Sequence, residues 1–101
     1  MVKHKVLITP EAKQSIKAVY DYYFWRISRQ MARNINDGIR NDIRLLAEQP
    51  YLGRIESIAN IDYYVLVSVN YKIIYTIHKQ ALQVIILEVF DSRQSPDKLN
   101  P

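Results

Sequence analysis

Three side chains in the second half of the chain have the chemistry to act on a phosphodiester: Lys72, His78 and Arg93. Metal-independent RNA cleavage needs a base for the attacking hydroxyl, an acid for the leaving oxygen, and cations for the charge that builds on phosphorus. His78 offers the base, Lys72 a phosphate contact, and Arg93 a bidentate clamp for phosphate or carboxylate. Each also has a plainer reading. His78 ends an alternating segment beside Lys79 and suits a solvated turn. Lys72 sits next to another turn, and Arg93 can pair with Asp91 or Asp97. The second histidine, His4, falls on an N-terminal segment that reads as exposed. No base, acid and second cation assemble around Arg93, so the catalytic stock is thin. The chain has no cysteine and two histidines, which excludes thiolate sites and argues against a metal centre. No motif asks for a cofactor.

The aromatic residues divide in the same way. Tyr71 and Tyr75 offer a stacking platform for bases. Tyr75, however, alternates with Ile73 and Ile77 and reads as a core residue with a satisfied hydroxyl. The run VYDYYFW holds Tyr20 and Tyr23 in an apolar helical stripe. Tyr22 and Trp25 are left over, either as anchors for a partner or as edge packing. Arg29/Arg33 and Arg40/Arg44 set like charges four residues apart on a helix, a small cost that suits a solvated surface facing an acidic partner.

Composition sets the frame for these residues. The chain has 101 residues, 49% apolar and 24% charged, which is the balance of one ordered globular domain. Its net charge is +4. The first fifty residues hold the whole excess, with nine Lys/Arg against five acids, while the remainder is balanced at five each. A basic chain suits an acidic protein or a nucleic acid. The N-terminus MVKHKVLITP is too short and too charged for a secretory signal, and no apolar run approaches a membrane span. The expected location is therefore the cytoplasm, with no membrane partner.

The elements that must position these residues follow from period and punctuation. KHKVLI (3–8) predicts a short strand. Thr9 and Pro10 open a helix as cap and first helical residue. Ala12, Ile16, Val19, Tyr20, Tyr23 and Ile27 form its apolar stripe. A break at Ser28 precedes a second helix with Met31, Ile35, Ile39, Ile43 and Leu46 on one side, ended by Pro50. The period then changes to alternation. Gly53 reads as a left-handed turn residue. Strands are predicted over 54–58, 62–69, 71–78 and 81–90. The last is apolar on both faces, as a covered central strand is. The predicted fold class is α+β: an N-terminal strand, a helical hairpin, then a mostly antiparallel sheet of three or four further strands. The two helices cover one sheet face, and the other face, with Tyr63, Val65, Val67 and Lys72, is left only partly covered. Residues 1–101 form one domain, and 95–101 read as a flexible tail.

This order of elements, with ITPEA opening the first helix, VYDYYFW inside it, LLAEQPYLGR closing the second, YKIIYTI in the penultimate strand and VFDSRQSPDKL at the end, resembles the RelE/ParE superfamily of bacterial toxins. The resemblance spans nearly the whole chain and is closest to the ParE-like branch, which shares the L-x-x-x-P-x-x-G-R pattern. It implies a type II toxin–antitoxin system: a cytoplasmic toxin neutralised by a small, acidic cognate antitoxin, as a homodimer or a heterotetramer with it. ParE-like members inhibit DNA gyrase and have roles in plasmid stabilisation and growth inhibition. RelE-like members cleave mRNA on the ribosome. The family's terminal arginine falls on Arg93, so the resemblance assigns Arg93 to target or antitoxin contact, with Arg54, Lys72, Tyr22 and Trp25 as further candidates. The nuclease alternative would use Lys72, His78 and Arg93. One departure stands out. Many members read Y-R-x-L-V on the strand after the hairpin, with an arginine that holds phosphate in the nuclease branch. Here the two positions are Tyr63 and Tyr64, which counts against cleavage and leaves a non-toxic, antitoxin-binding relative as a third alternative.

Overall fold

A computed structural model of the chain describes residues 3–92. Arg93 and the tail expected over 95–101 lie outside the described residues. The order is β1 (Lys5–Ile8), α1 (Pro10–Arg26), α2 (Arg29–Glu48), β2 (Arg54–Ile58), β3 (Ile61–Val67), β4 (Tyr71–His78) and β5 (Gln83–Asp91). The five strands form one sheet in the order β1-β5-β4-β3-β2. β1 pairs parallel with β5, and all other pairs are antiparallel. The α+β class and the helical hairpin are as the sequence predicts.

The caps explain where the helices start. The Thr9 hydroxyl accepts from the Ala12 N–H at 3.1 Å and donates to the Ile86 carbonyl at 2.9 Å. One side chain thus caps α1 and ties its start to β5. Ser28 repeats the role for α2, accepting from the Met31 N–H at 3.0 Å. The helices pack together on one sheet face. Ala12, Ile16, Val19 and Tyr23 of α1 and Ile35, Ile39, Ile43 and Leu46 of α2 meet Tyr71, Ile73 and Tyr75 of β4 and Val84, Ile86 and Val89 of β5.

Several boundaries and environments differ from expectation. The N-terminal strand begins at Lys5, and β3 spans Ile61–Val67 rather than 62–69. Ile27 does not extend the α1 stripe: it is the C-cap, outside helical geometry, and 60% exposed. His4 is half-buried against α2, with its N–H donating to the Ala47 carbonyl at 2.7 Å. β5 starts at Gln83, because Ala81 and Leu82 lengthen the preceding turn and Leu82 takes a positive φ of 53°.

The outer sheet face is better covered than expected. Ile58, Val65, Ile74 and Phe90 form a small buried cluster there, with Tyr63 packed against it. A bulge in β5 helps to build both faces. Ile74 pairs with Glu88 and Tyr75 with Ile86, so Leu87 has no counterpart on β4. The extra residue resets the alternation, so Val84, Ile86 and then Val89 all face the helices while Phe90 joins the outer cluster.

Candidate partner-binding surface

Positioning of the chemistry-bearing residues begins with β4. Its alternation sends Tyr71, Ile73 and Tyr75 to the helices and Ile74 to the outer cluster. Lys72 and His78 have the same parity as Ile74, but at opposite ends of the strand. Lys72 pairs with Val67 and Phe90 and is half-buried; His78 pairs with Gln83 and is exposed. Six residues at ~3.3 Å each separate them by roughly 20 Å. That span exceeds what a base and a phosphate contact can bridge across one phosphodiester. The strand does not bring these two together.

Tyr75 has the buried, satisfied hydroxyl that its alternation predicts. It donates to the Pro50 carbonyl at 2.8 Å and accepts from the Gly53 N–H at 2.9 Å. Burial pushes this phenol's pKa up, against the opposing pull of the Gly53 bond. Gly53 is glycine for a different reason than a left-handed turn, since its φ is not positive. A Cβ there would lie 2.7 Å from the Tyr75 hydroxyl and 2.9 Å from the Val65 carbonyl oxygen. Close approach to β3 and β4, not turn geometry, requires it.

The rings continue outward from Tyr75. Tyr64 stacks on it with centroids 5.4 Å apart, and Tyr51 meets Tyr64 edge-on at 5.9 Å. Tyr64 is thus one rung of an aromatic ladder running from the core to the solvent. The sequence reading missed this ladder. Two adjacent tyrosines show no face preference until the β3–β4 register, which sets Tyr64 directly opposite Tyr75, is known. The β2–β3 hairpin is closed by a two-residue turn at Ala59 and Asn60, both with positive φ (54° and 64°), which lacks the usual glycine.

The other candidates lie at separate places on the surface. Arg54 opens β2, with its Nε donating to Glu56 Oε2 at 2.9 Å. At the far end of α1, Tyr22 is half-buried and meets Tyr23 edge-on at 5.3 Å. The Arg26 guanidinium lies 5.1 Å over the Tyr22 ring. Trp25 leans on Phe24 at 5.0 Å and is still 79% exposed. Arg29 stands 5.6 Å over the other aromatic of this band, Phe24. An exposed indole framed by Arg26 and Arg29 suits an acidic, apolar-bearing partner.

Two further polar pairs fasten the helices to the sheet. The Tyr71 hydroxyl donates to Asp42 Oδ2 at 2.6 Å. The Ser15 hydroxyl donates to Glu88 Oε1. Burial first, then the Asp42 bond, raise the Tyr71 pKa well above its ordinary value. Among the described residues, no group of three or more His, Asp and Glu is gathered as a metal site would need. No helix among them is long and apolar enough to cross a membrane.

A family model described as "ParE toxin of type II toxin-antitoxin system, parDE" matches residues 6–96. The chain belongs to this family. Three solved structures share the fold of this ParE-family protein. A chromosomal ParDE system from P. aeruginosa aligns with a TM-score of 0.71 at 16% identity, over 90% of this chain and 98% of that one. The RelBE2 toxin–antitoxin complex of Mycobacterium tuberculosis gives 0.68 at 16% identity, over 89% and 99%. An arginine-to-alanine double mutant of E. coli RelE in the free state gives 0.63 at 10% identity, over 96% and 92%. At these identities the likeness is one of fold. Among curated proteins, none matches the sequence.

Proposed function

We propose that this ParE-family toxin acts by binding a protein target, DNA gyrase, and not by cleaving RNA. The observation that carries the reading is the Tyr51–Tyr64–Tyr75 ladder. It occupies the strand position from which a nuclease would hold phosphate with arginine, and an apolar stack supplies no charge to a phosphorane. The separation of Lys72 from His78 supports the same conclusion. In this reading the toxin works in the cytoplasm and is neutralised by a small acidic antitoxin. Solved relatives named as toxin–antitoxin complexes support that partner. The antitoxin's acidic side chains complement the basic first half of the chain, and Trp25 with its flanking arginines serves as one anchor. Arg93, carried over from the family's terminal arginine, contacts the target.

The test is a supercoiling assay with purified gyrase and increasing protein, alongside primer extension on cellular mRNA after induction. Loss of supercoiling without new 5′ ends inside coding regions is the expected result. Unchanged gyrase activity at saturating protein, with new 5′ ends appearing, overturns the proposal in favour of a ribosome-dependent endonuclease.

A further inference from the structure

The two edges of the sheet are built differently. At β1 the exposed Lys5 and, just before it, the exposed Lys3 guard the rim, and the His4 N–H is already bonded to the Ala47 carbonyl of α2. Like charges of this kind discourage strand addition. At β2 the edge charges are of opposite sign, Arg54 and Glu56, and do not repel a strand that carries the same pair. The strand pairs with β3 over all five residues without a bulge, contains no proline, and holds Ile55 at 59% exposure. Among the described residues, no strand pairs with its outer side.

The β2–β3 turn decides which backbone groups face outward. Ile58 and Ile61 flank the two-residue turn and form its hydrogen-bonded closing pair. Alternation then directs the amides of Ile58, Glu56 and Arg54 toward β3, and those of Ser57 and Ile55 outward. The charges on this strand are self-complementary. Arg54 and Glu56 share the outer sheet face, with opposite signs two residues apart, and bond to each other. Suppose a second copy is laid antiparallel with Ile55 opposite its own counterpart. The two outward Ile55 amides then exchange both hydrogen bonds, and each Arg54 stands opposite a Glu56 in the closer, non-hydrogen-bonded position. A shift of one pairing step sets Glu56 against Glu56 and loses both attractions.

We propose that β2 is a homodimerisation edge, through which two copies join about a two-fold axis at Ile55 into one continuous sheet. The interface is isologous, as a two-fold requires: each copy supplies the same Arg54–Ile55–Glu56 strip and receives it in return. Both helical hairpins then lie on the same side of the joined sheet. Pairing of this length is at the small end of protein interfaces, so association in roughly the micromolar range is expected.

Sedimentation velocity of the full-length protein over a concentration series tests it. With a dissociation constant of ~10 µM, most of the protein is dimeric at ~100 µM. Arg54→Glu and Glu56→Arg each place like charges across the axis, and each is expected to weaken association at least roughly tenfold. Mixing the two variants pairs an all-acidic strip with an all-basic one and restores a dimer, and the double swap restores it within one chain. Circular dichroism confirms that each variant is folded, and the double swap provides a second test should either single variant not be. A wild-type protein monomeric at ~100 µM, or a dimer indifferent to both single swaps, overturns the proposal.

Discussion

The Tyr75 hydroxyl and the Gly53 amide hold each other 2.9 Å apart, and that bond pins the turn after α2 onto the middle of the sheet. Because Tyr75 also donates to the Pro50 carbonyl, the hydroxyl anchors both ends of the turn that launches β2. The geometry of the β2 edge, and of Tyr51 at the end of the aromatic ladder, depends on this clamp.

Removing either member has a defined cost. Tyr75→Phe leaves the Gly53 N–H and the Pro50 carbonyl without their buried partner and is expected to destabilise the fold by ~1–3 kcal/mol in urea unfolding. Gly53→Ala forces a methyl against the Tyr75 hydroxyl and the rigid Val65 backbone and costs a similar ~1–3 kcal/mol. The double variant should cost less than the sum of the two, because losing the Tyr75 hydroxyl removes the nearer of the two clashes. Strict additivity would show that the two sites are independent.

The Tyr71 phenol predicts an alkaline sensitivity with a definite sign. Its pKa is raised in the folded state from an ordinary value of 10.0, first by burial and then by its bond to Asp42. The unfolded chain therefore releases this proton before the folded one does. The contribution is fully present below about pH 10 and is lost as pH rises beyond it. Tyr75, also raised by burial, adds in the same direction. Urea unfolding from pH 8 to pH 11 should show stability falling through the upper part of that range. Tyr71→Phe should be less stable at pH 8, since Asp42 loses its partner, and should show a shallower alkaline decline. Parallel curves for the two proteins would refute the assignment to Tyr71.

The exposed end of α1 predicts a separation of binding from folding. Trp25→Ala removes a side chain that is mostly in solvent, so stability should change by no more than ~0.5 kcal/mol. Affinity for the acidic partner should nevertheless fall, by ~2 kcal/mol if the indole is a central anchor. Calorimetric titration with a cognate antitoxin measures it. Unaltered affinity removes Trp25 from the contact surface.

Arg93→Ala tests the other end of the proposed function. The domain should remain folded while growth inhibition on induction weakens. A growth phenotype equal to that of the unaltered protein refutes the role given to Arg93.

Much of the fold was legible because it rests on local signals. Thr9 and Ser28 cap their helices as short polar residues do before an apolar stripe, and Pro50 ends α2 where its steric demand on the preceding residue requires. The alternation in YKIIYTIH placed Ile73 and Tyr75 in the core correctly. What failed was non-local. Gly53 read as a left-handed residue because glycine after a proline usually marks a turn, whereas its actual constraint comes from Tyr75 and Val65, distant in sequence. Ile27 matched the helical period but fell one residue past the last helical turn. The bulge at Leu87 has no signature in ALQVIILEVF, whose aliphatic positions are acceptable on either face.

The order of elements, the caps and the apolar periods were determined by the sequence alone, because each depends on neighbours within a turn of helix or a hairpin. Strand order, the register that puts Tyr64 on the aromatic ladder, and the distance that keeps Lys72 from His78 were decided only by the tertiary structure. The physical reason is that these properties belong to pairs of segments. A strand's own residues state which side is apolar, but only its partner determines what stands opposite.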